Sequence, residues 1–266
     1  MLRDITLGQY YPVDSVIHRL DPRTKLLGTL LFIISLFCMD SPWGYGLAAL
    51  FLAMTIRLSK VPLKFMVRGL KAVLVLLLIS VSFNLFLTPG REIFRLGFLK
   101  ITWEGLRTAV FMAVRLIFLV LGSSVMTLTT TPNELTDGLE KGLGFLKKVG
   151  VPVHEVAMMM SIALRFIPIL IEEADKIMKA QMARGADFES GNIVQRAKSM
   201  VPLLVPLFIS AFRRATDLAM AMEARCYRGG EGRTKMKPLR YHRRDRLAQL
   251  LLVLYLAAVI VLRVMV

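Results

Sequence analysis

Residues 151–185 read VPVHEVAMMMSIALRFIPILIEEADKIMKAQMARG and predict a single long helix. Val-Pro opens the stretch, residues 156–171 are apolar apart from Arg165, and the charged residues follow at 172–179. A helix that continues to Arg184 has about 30 residues and a length of roughly 45 Å. A second long helix is predicted from Asn192, a cap with Gln195 three residues later, to about Arg228. The rest of the chain is interpreted as membrane spans around this helix pair.

The two helices end on the same short phrase, Ala183-Arg184-Gly185 and Ala224-Arg225-Cys226, which we call the two Ala-Arg ends. One such end is unremarkable, because arginine complements the helix macrodipole and glycine is a common cap residue. The repetition favours a binding role. Helices joined by a short loop lie roughly antiparallel or crossed, so their C-terminal ends are far apart. We therefore predict that the two ends dock onto two similar cytoplasmic subunits.

The composition indicates a polytopic membrane protein. The 266 residues are 55% hydrophobic, and long runs carry no charge. The net charge of +16 fits basic cytoplasmic loops better than nucleic-acid binding, since no basic run is interleaved with stacking aromatics. Two cysteines, Cys38 and Cys226, exclude a disulfide or zinc framework. The first residues lack the apolar segment and cleavage site of a signal peptide, so we expect none.

The predicted fold is all-α, with about five transmembrane helices and a cytoplasmic pair of long coupling helices. The spans are placed near residues 26–39, 43–56, 72–88, 105–130 and 247–262. The first two form a tight hairpin, and a mixed-charge outer loop covers residues 88–104. Asp21 and Pro22 begin the first helix, with Arg23 and Lys25 snorkelling at the cytoplasmic surface.

The loop charges predict the orientation. Residues 57–71 contain five basic and no acidic residues, so this loop and the N-terminus are expected in the cytoplasm. The helix pair is placed there too, because the apolar part of its second helix, residues 201–212, is too short to span a bilayer. The resulting division is residues 1–130 with four spans, 131–240 with the coupling helices, and 241–266 with the last span.

Four further residues are candidate functional positions. Arg115 lies near the middle of the fourth predicted span, where a charge is costly and often functional. The alternative is an architectural arginine that faces the bundle interior and bonds to carbonyl groups. Pro168, Pro202 and Pro206 interrupt the long helices and are candidate hinges.

These motifs, in this order, resemble those of one transporter family. The motifs are Leu20-Asp21-Pro22-Arg23-Thr24-Lys25, Thr130-Thr131-Pro132, Leu164-Arg165-Phe166-Ile167-Pro168 with Glu172-Glu173, and the two Ala-Arg ends. Nearly the whole chain resembles the transmembrane T component of energy-coupling factor transporters, which are ATP-binding-cassette importers. Cys226 departs from the commoner glycine at the third position of such a triplet.

The resemblance implies a function of mechanical coupling. The two Ala-Arg ends would dock into grooves of two cytoplasmic ATPase subunits, which bind ATP and magnesium, so that this chain holds no cofactor or metal and is not an enzyme. Apolar faces of the same helices would hold a membrane-embedded, substrate-binding S subunit. The complex would import a vitamin or a transition-metal ion across a prokaryotic plasma membrane, with the N-terminus of this multi-pass chain in the cytoplasm.

Two other classes of protein remain as alternatives. A conventional ABC-type permease would also offer helices to ATPases but would carry its own substrate pathway. A membrane enzyme is disfavoured, because His154-Glu155 begins like a zincin motif but Met158 stands where the second histidine belongs. The sequence also lacks a Gly-x-Ser-x-Gly elbow and a phosphate loop. Co-purification of two ATPases and a small membrane protein would distinguish the T component from both.

Overall fold

The structure is a computed structural model that describes residues 9–39, 41–96, 99–188, 192–230, 232, 234, 236 and 238–265. The chain divides into two compact units. The first, here called the helix-pair unit, is Gly142–Pro238, and the second, the membrane unit, combines Gly8–Lys141 with Leu239–Val266. The sequence-based division into residues 1–130, 131–240 and 241–266 separates membrane spans from cytoplasmic helices, and it stays a prediction.

Helices dominate both units. In chain order, the elements of the described residues are α1 (Pro22–Phe37), α2 (Pro42–Ser59), α3 (Leu63–Leu87), β1 (Glu92–Leu96), β2 (Leu99–Thr102), α4 (Trp103–Thr129), α5 (Pro132–Gly142), a 3₁₀ helix (Gly144–Val149), α6 (Val153–Ala183), α7 (Ile193–Ala224) and α8 (Arg243–Met265). The all-α, polytopic class predicted from the sequence is confirmed.

The connection between α3 and α4, predicted only as a loop over residues 88–104, contains two short strands that the prediction did not include. Strands β1 and β2 form an antiparallel hairpin there, in which Phe94 pairs with Ile101 and Leu96 with Leu99. Helix α4 follows β2 directly and begins at Trp103. Polar and apolar residues alternate in LKIT, which is the period of a strand, but Ile93 and Phe94 break the alternation in EIFRL, and both runs are short enough to pass for a loop.

Three of the described helices, α4, α6 and α8, are long and apolar enough to cross a membrane. A fourth span results if the two halves of α3, bent by 60°, are counted together. Helices α1 and α2 also form where spans were predicted, but they have only 16 and 18 residues. Their membrane hairpin and the cytoplasmic location of α6 and α7 therefore stay predictions.

A buried hydrophobic core of the membrane unit lies between α1, α2 and α8. Its buried residues are Phe32, Leu36, Met39, Tyr45, Ala48, Leu52, Leu252, Tyr255 and Val259. The Phe51 and Tyr255 rings stack with centroids 4.4 Å apart, and the Tyr255 hydroxyl hydrogen-bonds to Ser35 Oγ at 2.8 Å. Because lipid offers little hydrophobic driving force between helices, close packing and buried hydrogen bonds of this kind hold a membrane bundle together.

Two buried carboxylates join the beginnings of α1 and α8. Asp21 caps α1, since its Oδ1 accepts a hydrogen bond from the Arg23 backbone N–H at 3.0 Å. The Asp245 carboxylate accepts from the backbone N–H of Asp21 and from that of His242, both at 2.7 Å. Asp245 thereby caps its own helix and ties it to a residue 224 positions earlier. We call Asp21, Arg23, Lys25 and Asp245 the charged node.

The basic members of the charged node do not snorkel as predicted. The Arg23 guanidinium is ion-paired with Asp21 at 3.0 Å and lies 4.1 Å from the centroid of the Tyr241 ring. Lys25 is buried, and its Nζ donates to the carbonyl oxygens of His18 (3.1 Å) and Thr129 (2.8 Å). Thr129 ends α4, so Lys25 satisfies a carbonyl that helix geometry leaves without a donor. This need outweighs the lysine's preference for water.

Replacing Asp21 by Asn tests the charged node. Burial alone would raise the pKa of Asp21, but the hydrogen bonds from Arg23 outweigh it and lower the pKa below its ordinary value of 3.8. A carboxylate with a lowered pKa stabilises the folded state above pH 3.8, and this contribution is lost as the pH falls through the folded-state pKa. We expect Asp21→Asn to lower the free energy of unfolding by about 2 kcal/mol at neutral pH.

Thermal unfolding of both proteins in detergent between pH 7 and pH 3 measures the effect. The difference between wild type and variant should be largest at neutral pH and should shrink as the pH falls below 3.8 towards the lower pKa of the folded-state carboxylate. A difference that stays constant over this range would mean that the charge of Asp21 contributes nothing.

Candidate docking site at the ends of two long helices

Helices α6 and α7 of the helix-pair unit lie antiparallel. Arg214 Nη2 of α7 forms an ion pair with Glu173 Oε2 of α6 at 2.8 Å. Further along α6, Gln181 Nε2 donates to the carbonyl oxygen of Pro202 at 3.4 Å. Residue numbers therefore rise along one helix as they fall along its neighbour. The two Ala-Arg ends consequently lie at opposite ends of the pair, as the short connection between the helices predicted.

The first Ala-Arg end closes α6 with a left-handed residue. Arg184 is the cap residue, with φ −89° and ψ 5°, and Gly185 follows with φ +88°. The Gly185 N–H donates to the carbonyl of Met182, and that of Ala186 donates to the carbonyl of Gln181, both at 3.0 Å. This pair of bonds is the Schellman motif, which satisfies carbonyl groups that a helix end would otherwise leave unpaired.

The second Ala-Arg end repeats this geometry at the end of α7. Arg225 is the cap residue, with φ −91° and ψ 13°, and Cys226 follows with φ +55°. The Cys226 N–H donates to the carbonyl of Glu223 at 2.8 Å, and that of Tyr227 donates to the carbonyl of Met222 at 3.0 Å. The two ends therefore present their arginines from nearly the same backbone conformation.

The left-handed conformation explains the small third residue of each triplet. In the sequence, Cys226 stands out only as a departure from the commoner glycine. The structure adds a backbone reason, because glycine adopts a positive φ without steric cost and other L-residues do not. Cys226 occupies a position that favours glycine. The sequence signal for it was present in Gly185, which holds the equivalent place.

All six residues of the Ala-Arg ends are exposed. No residue that the structure describes forms an ion pair with Arg184 or Arg225. Arg225 also borders a cavity of about 760 Å³ within the helix-pair unit, whose wall includes Arg165 and Phe166 of α6. The second end thus combines a protruding cation with a concave, basic and apolar surface beside it.

The three candidate hinge prolines lie inside continuous helices. Pro168 is in α6, and Pro202 and Pro206 are in α7. Pro206 has no N–H, so the carbonyl of Pro202 lacks its normal helical donor. The Gln181 side chain fills that role from α6. Gln181 lies about one helical turn before Arg184 in α6. The break in the hydrogen-bond ladder of α7 is therefore close to the first Ala-Arg end.

Arg115 of α4 contacts residues at the end of α1 and at the beginning of α2. Its Nε donates to the Tyr45 hydroxyl at 3.0 Å, and its Nη2 donates to the carbonyl of Met39 at 3.1 Å. The guanidinium carbon lies 5.6 Å from the centroid of the Phe37 ring. These contacts tie the end of α1 and the start of α2 to α4, which is an architectural use of the charge.

The fold brings no further metal-ligating side chains of the described residues to the incomplete zincin-like motif, His154-Glu155. The described residues contain no group of three or more His, Cys, Asp or Glu side chains placed to hold a metal ion. His154 instead packs against Gly230, where an added Cβ would lie 2.2 Å from the imidazole Cδ2.

Comparison with known proteins assigns the family. Residues 14–236 match the family model CbiQ, described as a cobalt transport protein. The energy-coupling factor transporter transmembrane protein EcfT of Thermosediminibacter oceani is 60% identical over 239 residues, which cover 90% of each chain. The EcfT of Ruminiclostridium cellulolyticum is 53% identical over 262 residues, 98% of each chain. That of Bacillus subtilis is 49% identical over 246 residues, 92% of this chain and 93% of the relative. This chain belongs to the EcfT family.

Family membership confirms the resemblance read from the sequence motifs. The EcfT proteins are bacterial transmembrane components of energy-coupling factor transporters, so this chain is a membrane component of such a transporter. The matched region, residues 14–236, includes both Ala-Arg ends. It also includes every residue of the charged node except Asp245.

The left-handed position of Cys226 predicts a stabilising substitution. We expect Cys226→Gly to raise the free energy of unfolding by about 1 kcal/mol, because glycine removes the steric cost of φ +55°. The melting temperature should rise by about 2–4 °C. Gly185→Ala, at the equivalent position of α6, should lower it by a similar amount. Thermal unfolding of the purified variants measures both, and a Cys226→Gly protein that melts below wild type would contradict the shared end geometry.

Proposed function

We propose that this chain is the coupling subunit of an energy-coupling factor importer for a vitamin or a transition-metal ion. It transmits the motion of two cytoplasmic ATPase subunits to a membrane-embedded S subunit that binds the substrate. The observation that carries the proposal is the pair of exposed Ala-Arg ends with matching backbone geometry at opposite ends of an antiparallel helix pair.

The matching ends support docking onto two similar subunits. A structural cap needs no exposed arginine, and the Schellman bonds already satisfy the backbone. Each guanidinium therefore remains available for an acidic or carbonyl-lined groove of a partner, where planar, bidentate hydrogen bonds are strong. Two ATPase subunits of one fold offer two such grooves.

The antiparallel contacts support transmission of motion between the ends. The Glu173–Arg214 ion pair and the Gln181–Pro202 hydrogen bond join α6 and α7 at two levels. A displacement imposed at Arg184 therefore acts on both helices. The breaks in the hydrogen-bond ladder at Pro168, Pro202 and Pro206 are the positions at which these helices would bend most easily.

An exposed apolar face on α7 supports binding of the S subunit. It consists of large hydrophobic side chains at helical spacing, each more than half exposed: Val201, Leu204, Val205, Phe208, Ile209 and Phe212. A face of this size is typical of an interaction surface. In this proposal the ATPases bind at the two ends of the helix pair and the S subunit binds along this side.

In this proposal the partner subunits carry out all of the chemistry. The ATPase subunits bind ATP and magnesium and hydrolyse ATP, while this chain contributes binding and mechanical coupling. We propose that its N-terminus and the helix pair lie in the cytoplasm, because the basic loop at residues 57–71 carries the positive-inside signal.

Replacing Arg184 and Arg225 together by Ala tests the coupling role. Loss of a buried arginine anchor weakens binding by about 2 kcal/mol, or roughly thirtyfold, at each docking end. The double variant should fail to co-purify with the ATPase subunits and lose ATP-driven uptake. Its thermal unfolding should match wild type, because both side chains are exposed and the cap bonds are made by the backbone.

The matched control is Arg57→Ala, which removes an exposed arginine from the last turn of α2 in the membrane unit. This variant should keep both subunit binding and uptake. Full uptake by a well-folded Arg184→Ala, Arg225→Ala protein would refute coupling through the Ala-Arg ends. Uptake with ATPases but without any separate S subunit would favour a conventional ABC-type permease.

A further inference from the structure

A cavity of about 370 Å³ opens on the side of the membrane unit between α1, α2, α4 and α8. Most of its wall is apolar, including Phe32, Met54, Leu58 and Leu251. Met54, Leu58 and Leu251 are also partly exposed, at 48%, 37% and 44%, so the cavity is open to the surroundings of the bundle. Its surroundings in a membrane protein are lipid.

One end of the cavity is basic. Lys25, in the first turn of α1, and Arg244, in the first turn of α8, both line it. The Lys25 ammonium group is already bonded to two carbonyl oxygens. Arg244 is exposed, and within the part of the chain that the structure describes no carboxylate pairs with it. The cavity therefore combines an apolar wall with an available guanidinium at the end where α1 and α8 begin.

We propose that this cavity binds an anionic phospholipid, with an acyl chain along the apolar wall and the phosphate group at Arg244. The charge of Arg244 selects an anionic head group, and the wall accepts a hydrocarbon chain that a soluble anion lacks.

Gly28 of α1 provides a way to fill the cavity. It lines the wall, and a Cβ added at this residue would meet no atom within 4 Å. Gly28→Leu therefore adds a side chain to the space that the acyl chain would use, starting from a Cβ that meets no protein atom. Gly46 of α2 also has open space around it but does not line the cavity, so Gly46→Leu is the matched control.

Native mass spectrometry of the full chain in mild detergent, titrated with equal amounts of phosphatidylglycerol and phosphatidylcholine, tests the site. Wild type should retain phosphatidylglycerol about fivefold more than phosphatidylcholine, since one arginine near the head group distinguishes the two. Arg244→Gln should remove this preference. Arg246→Gln, an exposed arginine two residues further that does not line the cavity, should keep it. Gly28→Leu should reduce retention of both lipids, and Gly46→Leu should not.

Three results would overturn the proposal. Equal retention of the two lipids by wild type would show that head-group charge is not recognised. An unchanged preference in Arg244→Gln would place the anionic contact elsewhere. Unchanged retention in Gly28→Leu would place the acyl chain outside this cavity. Size-exclusion profiles and melting temperatures that match wild type show that each variant is folded, and a variant that fails this check is replaced by Arg244→Ala or Gly28→Val.

Discussion

The antiparallel contact between α6 and α7 is the constraint on which the proposed function depends. Two contacts set the relative position of the two helices. They are the ion pair between Glu173 and Arg214 and the hydrogen bond from the Gln181 side chain to the carbonyl of Pro202. The ion pair is about one-third exposed, so it contributes little stability. Its importance is geometric, because it fixes which residues of the two helices lie side by side. With helices of 31 and 32 residues, this alignment keeps the two Ala-Arg ends at opposite ends of one unit.

The membrane unit meets a different requirement. The backbone N–H and C=O groups at the ends of a short helix need hydrogen-bond partners inside an apolar bundle. Helix α1 has 16 residues, and charged side chains hold both of its ends. At its start, Asp245 accepts the Asp21 N–H; beyond its end, Arg115 donates to the carbonyl of Met39. Backbone groups in a membrane interior must find partners within the protein. The charges of Asp245 and Arg115 therefore serve the architecture, and Arg244 remains at the edge of the bundle as the proposed cation for lipid.

Local signals predicted the long helices well, and long-range contacts account for what the sequence missed. Helix α6 was predicted to residue 184 and ends at Ala183, and the Asn192–Gln195 cap precedes α7 as expected. The partners of Lys25 and Arg115 were not predictable, because the bonding carbonyl of Thr129 and the hydroxyl of Tyr45 are 104 and 70 residues away. The β1–β2 hairpin was missed because its strands are only five and four residues long. The positive φ of Cys226 was missed because cysteine itself gives no sign of it, and only the equivalent position of Gly185 indicates it.

The number of ATPase subunits bound to this chain tests the central claim most directly. Native mass spectrometry of complexes isolated from membranes through this chain would count them. Equivalent docking at the two Ala-Arg ends predicts two ATPase subunits with wild type and one with either Arg184→Ala or Arg225→Ala. Complexes in which both single variants still carry two ATPase subunits would contradict the account, because docking would then not depend on the arginines at these helix ends.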